Sequence, residues 1–356
     1  MTDEESRRPI ELSRRTLFAA GAAGLAGSVL AACSGGSGKP GAQPPRGAAS
    51  PTASAATTPP PDPASVKANE LGLVPVLMHH RVVDKVESEF DMTPAYFRAE
   101  LQRLYAEGYY PVRTVDLVHG TFDHVPPGKT PVVMTFDDGS PGQFGYTSTG
   151  AVKPNSGVGI LLEFHAQHRD FPAVASMYIN QHPFAIGDTS KALGDLHRYG
   201  FEIGNHTYDH LDLKPLDPGK VQEEFGKLQQ MVEQAVPGLR TRTMALPLGV
   251  EPRDHRLAHT GTYAGERYVN EGVLLVGANP SHSPYHKLFD PQAIPRIRSS
   301  SYQGGKGQYL ATYWLDFLKA NPDKRYRAAG NPGKITVPRK YADIIAPRFR
   351  SRVVTY

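Results

Sequence analysis

Two short segments carry most of the chemistry this sequence can do. Val132-Val133-Met134-Thr135-Phe136-Asp137-Asp138-Gly139 is an apolar, β-branched run that ends in two adjacent carboxylates. Neighbouring anions repel unless a cation compensates them, so a buried strand ending in Asp-Asp asks for one. One carboxylate can then hold the cation while the other handles a proton. Gly204-Asn205-His206-Thr207-Tyr208-Asp209-His210 supplies the other half. His206 and His210 are four apart, so on a helical turn both imidazoles face one side and can share a cation. With Asp138 they form a set of two histidines and one carboxylate, which leaves positions open for water and substrate. A solvated Asp-Asp-Gly turn and a lone His-x-x-x-His each have an ordinary structural explanation. Together, each motif accounts for the other.

These groups need a frame that delivers them to one place. From Leu71 onward, short apolar runs alternate with amphipathic stretches. Strands are predicted at 74–78, 131–136, 173–179, 201–203, 243–246 and 273–276. Helices are predicted at 94–107, 158–167, 191–199, 218–235 and 307–319. Thr93 is placed to cap the first helix, Pro94 suits its first turn, and Gly108 can end it. Alternation of this kind predicts an α/β fold with a mainly parallel sheet. At this length a closed or partly closed barrel is more natural than two domains, and barrels gather reactive groups at the C-terminal ends of their strands.

On these residues the sequence resembles the polysaccharide deacetylases, the NodB-like carbohydrate esterases of family 4. Thr135-Phe136-Asp137-Asp138-Gly139 is similar to that family's first motif and His206-Thr207-Tyr208-Asp209-His210 to its second. The likeness runs from Val74 to Arg298 and includes Val76-Leu77-Met78-His79-His80-Arg81. It implies a distorted or partly open (β/α) barrel. It further implies Asp137 as catalytic base and Asp138, His206 and His210 as ligands of a divalent metal, usually Zn2+. The third motif departs from the family's usual Arg-x-Pro-Tyr-Gly and reads Ala245-Leu246-Pro247-Leu248-Gly249. That removes the arginine that commonly orients the base, and no Leu-x-His near the C-terminus supplies the usual general acid. An Ala-x-Pro-x-Gly motif and an early Tyr-His are familiar in the branch that includes poly-N-acetylglucosamine deacetylases.

The implied reaction is metal-dependent hydrolysis of an acetyl group from an N-acetylated cell-surface glycan. Leu248, by motif position, offers the backbone N–H that holds the oxyanion. Arg296 or Arg298, in Pro295-Arg296-Ile297-Arg298, is the stand-in for the missing guanidinium. For the general acid, His79 and His80 close the first strand, and strand alternation lets only one of them face the metal. His80 matches the histidine of the Tyr-His pattern; His282 and His286 are further competitors. The long Gly139–Gly157 segment is placed to shape substrate choice. Two rival readings fit the same motifs: a glycan-binding lipoprotein on a decayed enzyme scaffold, and a metal-dependent carbohydrate O-acetyl esterase.

The N-terminus reads as an address rather than as fold. Ser13-Arg14-Arg15-Thr16-Leu17-Phe18 is a twin-arginine pattern, followed by small and apolar residues as far as Ala32. Leu30-Ala31-Ala32-Cys33 resembles the bacterial lipobox, so residues 1–32 are expected to be a signal peptide and Cys33 to be acylated. Residues 33–70, with eight prolines, five glycines and no aromatic residue, are expected to form a disordered tether. The catalytic domain then spans 71–356. The expected location is the outer face of a bacterial membrane, with the lipid on Cys33 and the N-acetylated glycan as partners.

Composition narrows the alternatives. Cys33 is the single cysteine, which excludes an internal disulfide and a cysteine-rich zinc site. Basic residues number 39 and acidic residues 35, a net charge of +4, which gives no reason to expect nucleic acid as a partner. The charge is uneven, however. From Asp323 to Tyr356 there are nine Lys or Arg and two Asp, read as a basic tail that is either merely solvated or in contact with anionic surface polymers or lipid headgroups.

Overall fold

Eight parallel strands frame the molecule: β1 (Val76–His79), β2 (Tyr109–Val112), β3 (Thr130–Phe136), β4 (Ser176–Ile179), β5 (Glu202–Asn205), β6 (Thr243–Ala245), β7 (Gly272–Leu274) and β8 (Ile297–Arg298). Their order is β7-β6-β5-β4-β3-β1-β8. The computed structural model describes residues 59–303 and 307–356. The expected signal peptide, Cys33 and most of the tether lie outside the described residues.

β3 is the central strand, buried along all seven residues. One edge pairs with β1, Val76 opposite Val133 and His79 opposite Phe136. The other edge is shared: β2 lies along Thr130–Val133, and β4 takes over at Thr135 and Phe136. The sheet curls, and a single segment spans the gap between its ends. Pro291 and Ile294 hydrogen-bond to β7 through Val273 and Leu275, and the same segment then becomes β8 beside β1. Gly277 makes this possible, because a Cβ there would lie 2.6 Å from the Arg296 backbone nitrogen. The α/β reading and the distorted (β/α) barrel both hold.

Six helices flank the sheet: α1 (Pro94–Ala106), α2 (Thr114–His119), α3 (Gly157–Gln167), α4 (Thr189–Arg198), α5 (Pro218–Ala235) and α6 (Ala311–Ala320). Thr93 caps α1 by accepting the Tyr96 N–H, with Pro94 in the first turn. Asp217 caps α5 in the same way ahead of Pro218. Strand side chains alternate between two layers. Leu77, Val132, Met134 and Phe136 pack on the helices with Phe97, Leu101 and Leu104 of α1. Val76 and Val133 belong to a second cluster that continues to the N-terminal ends of the strands. Removing one such leucine costs about 2–5 kcal/mol.

Two expectations change at that end of the barrel. The chain is already packed before residue 71: Ala68, Asn69 and Glu70 are buried, and Asn69 forms a bridge with Arg327. The reason is Glu70, whose carboxylate accepts N–H bonds from Ala329 and Thr336. The basic segment is not a free tail. Ile335–Val337 pairs in parallel with Val353–Thr355, and Arg325 is buried against Tyr109, donating to Thr130 Oγ1 and the Glu107 carbonyl. No helix among the described residues is long and apolar enough to cross a membrane.

Candidate active site

Strand parity decides which polar groups meet. Val133, Thr135 and Asp137 share one face of β3, so the Asp137 carboxylate emerges inside the barrel at the C-terminal end of the strand, where it is buried. Asp138 follows at φ 74°, a left-handed turn that swings its carboxylate round to the same side. On β1 the same rule separates two adjacent histidines. His79 has the parity of Leu77 and points into the helix layer. Its ring stacks on Phe136, and its nitrogens engage the Thr135 carbonyl and Glu100 Oε1 of α1. His79 is therefore corrected from a site candidate to a packing residue. His80 points inward, with Nε2 3.9 Å from Asp137 Oδ2.

The second motif is held differently from the helical turn expected of it. Residues 206–210 form an irregular loop after β5, with Thr207 at φ 64° and His210 at φ 54°. Side-chain amides and one carboxylate stitch that loop in place. Asn180 donates to the carbonyls of His206 and Thr207, Asn205 accepts the Thr207 N–H, and Glu224 of α5 accepts the Asp209 N–H. The outcome is still convergence. His206 Nε2 lies 3.3 Å and His210 Nε2 3.4 Å from Asp138 Oδ1, and one ligand atom from each residue falls within a 4.8 Å cluster.

The donor set fits a divalent cation. His206 Nδ1 lies 2.8 Å from the Ala245 carbonyl, which takes its N–H and leaves the Nε2 lone pair for a metal. Two imidazole nitrogens and a carboxylate oxygen suit zinc and similar ions. Burial works to lower the His210 pKa, and neighbouring His206 adds to that.

Arg296 completes the centre. Its guanidinium is fully buried, with Nη1 and Nη2 each 2.7 Å from one oxygen of Asp137. Nη1 also donates to Thr135 Oγ1 and Nε to the Leu275 carbonyl. Burial pushes the Asp137 pKa up, but Arg296, then His206, overcome it and hold the carboxyl well below the usual range. Of the two arginines expected to replace the missing one, Arg296 thus reaches Asp137. Arg298 instead lines the rim and pairs with Glu89.

The groups open into a cavity of about 460 Å³, walled by His80, Phe90, Leu246, Leu248, Val276 and Arg298 among others. Leu248 sits at φ 57° with its side chain exposed, on the turn that follows Pro247. Four non-glycine residues near the cavity, Asp138, Thr207, His210 and Leu248, occupy left-handed backbone, and such strain collects at functional sites. Residues 139–157 do not line the cavity, so the segment expected to shape it is replaced by Ser88 and Phe90. His282 and His286 stack on each other beside a separate cavity with Asn69 and Tyr341 and are not part of this site. Sequence reasoning missed Glu224 and Asn180. The only signal for Glu224 was a carboxylate on the apolar face of a helix.

Residues 124–263 match the sequence model of the polysaccharide deacetylase family. Over 50 residues the chain is 38% identical to the uncharacterized protein YlxY of Bacillus subtilis strain 168, a match spanning 14% of this chain and 15% of that one. The Streptococcus pyogenes deacetylase PplD, solved in complex with acetate, is 17% identical with a TM-score of 0.51, covering 70% of this chain and 98% of its own. IcaB from Ammonifex degensii is 19% identical over 65% of this chain and 93% of its own, with a TM-score of 0.44. The match at residues 124–263 marks a segment similar to the polysaccharide deacetylases, and the barrel that carries it shares the fold of PplD.

Proposed function

We propose that this protein is a metal-dependent deacetylase that removes acetyl groups from an N-acetylated cell-surface polysaccharide. The observation that carries the reading is the Asp137 carboxylate, clamped by Arg296 beside three convergent ligands at the floor of one cavity. Asp138, His206 and His210 would hold the metal, most readily Zn2+, which supplies Lewis acidity toward the acetamide carbonyl and the attacking water. Asp137, kept ionised, accepts the proton of that water. Leu248 lines the cavity, and its backbone N–H would be the donor for the developing oxyanion.

His80 handles the leaving amine. Burial pushes its pKa down to about 4, so at neutral pH it carries no proton to give. The proton it delivers is one that it receives during the reaction, and Asp137, the nearest carboxylate at 3.9 Å, would pass it once the two close to hydrogen-bond distance. The signal peptide, the lipid on Cys33 and a location on the outer face of the membrane belong to the same proposal and rest on the N-terminal motifs.

The test is acetate release from a panel of N-acetylated glycans, with and without chelator. Chelator-sensitive release supports the reading. Full metal occupancy without release from any glycan would favour a binding protein, and turnover of aryl acetates but not acetamides an esterase. Elemental analysis of His206→Ala, His210→Ala separates metal binding from the rest; stoichiometric metal in that variant would overturn the ligand assignment.

A further inference from the structure

The C-terminal segment forms a cationic surface at a definite place. Lys334, Arg339, Lys340, Arg348, Arg350 and Arg352 lie within nineteen residues that contain one carboxylate, Asp343. Five of the six side chains are exposed, and Arg352 is half-buried. None has an acidic partner within ion-pair distance among the described residues, whereas Arg103 pairs with both Glu107 and Asp316. Three lie on aromatic rings instead: Lys340 on Tyr341, Arg348 on Phe349, and Arg352 near both Tyr285 and Phe349. The parallel pairing of Ile335 with Val353 places Lys334 beside Arg352, and Arg352 Nε donates to the Gly333 carbonyl. Asp123, which accepts the Gly333 N–H, and the buried Glu70 are acidic groups at the edge of this surface.

The location is informative. The segment packs under the N-terminal ends of the strands: Thr130, the first residue of β3, donates to the Tyr326 carbonyl, and the Ala328 N–H bonds to the Lys129 carbonyl. Asp137 emerges at the other end of the same strand, about 23 Å away at ~3.3 Å per residue. The N-terminal chain joins the barrel on the cationic side, with Tyr356 donating to the Ala68 carbonyl and Glu70 bound to Thr336. The cationic surface and the incoming chain thus share one end of the barrel, and the catalytic cavity opens at the other.

We propose that this surface docks on an anionic lipid bilayer and turns the cavity away from it. Unpaired guanidinium and ammonium groups match phosphodiester headgroups, and each such cation near an anionic membrane favours binding about fivefold. The attraction acts within a Debye length, about 8 Å at physiological salt, so it operates once the chain is held close. The proposal is independent of deacetylation, because none of these residues touches the cavity.

The experiment uses the full chain carrying Cys33→Ser, so that no acyl group contributes. Sedimentation is measured with phosphatidylcholine vesicles and with phosphatidylcholine–phosphatidylglycerol vesicles. Binding should be at least about tenfold stronger to the anionic vesicles, fall with added salt, and drop at least about tenfold in Arg348→Glu, Arg350→Glu. Those exposed sites leave the thermal unfolding midpoint in place, which checks the fold without relying on activity. Equal partition into both vesicle types, or no loss on charge reversal, would overturn the proposal. So would tighter binding to a soluble polyphosphate than to vesicles, which would reassign the surface to an anionic polymer.

Discussion

Arg296 and Asp137 are 159 residues apart in the chain, yet they form a two-pronged, fully buried pair with both contacts at 2.7 Å. The pair exists because the segment that bonds to β7 through Pro291 and Ile294 runs on to β8 beside β1, and so carries the Arg296 guanidinium to the carboxylate. A buried ion pair contributes little net stability when intact, but breaking one side leaves a charge without compensation, at about 3–5 kcal/mol. Arg296→Ala should therefore lower stability by about that amount and abolish acetate release. Arg296→Lys keeps the charge but cannot serve two carboxylate oxygens and the Leu275 carbonyl together. It should keep its metal, recover most of the stability and still lose at least tenfold in kcat. Thermal unfolding and elemental analysis, run beside the kinetics, check this; wild-type turnover in the lysine variant would contradict it.

The parts of the site that lie in one stretch of chain were legible in the sequence. Asp137 and Asp138 sit at the end of an apolar run, and the histidines are local to one loop. Parity along β1 was legible too, and it separates His79 from His80 as expected. The helical reading of His206–His210 failed because periodicity says nothing about left-handed residues, and Thr207 and His210 are both left-handed. Arg296 and Arg298 share strand parity and both face inward, so the choice between them depends on how deep in the barrel each one sits, which no short pattern encodes. Glu70 fell inside a Pro-rich stretch, and its burial is fixed by partners some 260 residues later.

His79 and His80 are neighbours with opposite expected outcomes. His80→Ala should keep its metal and its fold while amide hydrolysis falls by about 10²–10⁴, the usual contribution of a positioned acid or base. Aryl acetates, whose leaving groups need no proton, should lose far less. His79→Ala leaves Glu100 buried beside an unfilled space between Phe97 and Phe136, so it should lower the unfolding midpoint without that substrate dependence. Equal losses on both substrates in His80→Ala would remove it from the proton path.

Glu224 braces the loop that carries His206 and His210. Its buried carboxylate accepts the Asp209 N–H at 2.7 Å, between His206 and His210, and pairs with Lys220. Outer groups that orient ligands typically change metal affinity by about 10–100-fold. Glu224→Ala should weaken zinc by that factor in competition with a chromophoric chelator. Glu224→Gln keeps an oxygen for the Asp209 N–H and should recover most of the affinity. Unchanged affinity in the alanine variant would show that Asn180 and Asn205 suffice.

Glu70 makes stability depend on pH at the opposite end of the barrel. Burial raises its pKa from 4.5 to about 7, against the lowering effect of the N–H groups of Ala329 and Thr336. The folded state therefore holds this proton more tightly than the unfolded chain does. Its contribution is fully present below pH 4.5 and is lost as pH rises toward 7, because over that window only the unfolded chain releases the proton readily. A shift of this size corresponds to about 3 kcal/mol. Glu70→Gln cannot titrate, and it retains one oxygen for one of the two amides, so it should cost about 1 kcal/mol at pH 4 and be more stable than the wild type above pH 7. The measurement is chemical denaturation of both proteins from pH 4 to 8. Wild-type stability, taken relative to the glutamine variant, should decline by a few kcal/mol across pH 4.5–7 and then level off. A difference that stays flat over that range would mean that Glu70 is ionised in the folded protein, bound as a carboxylate by its two amides.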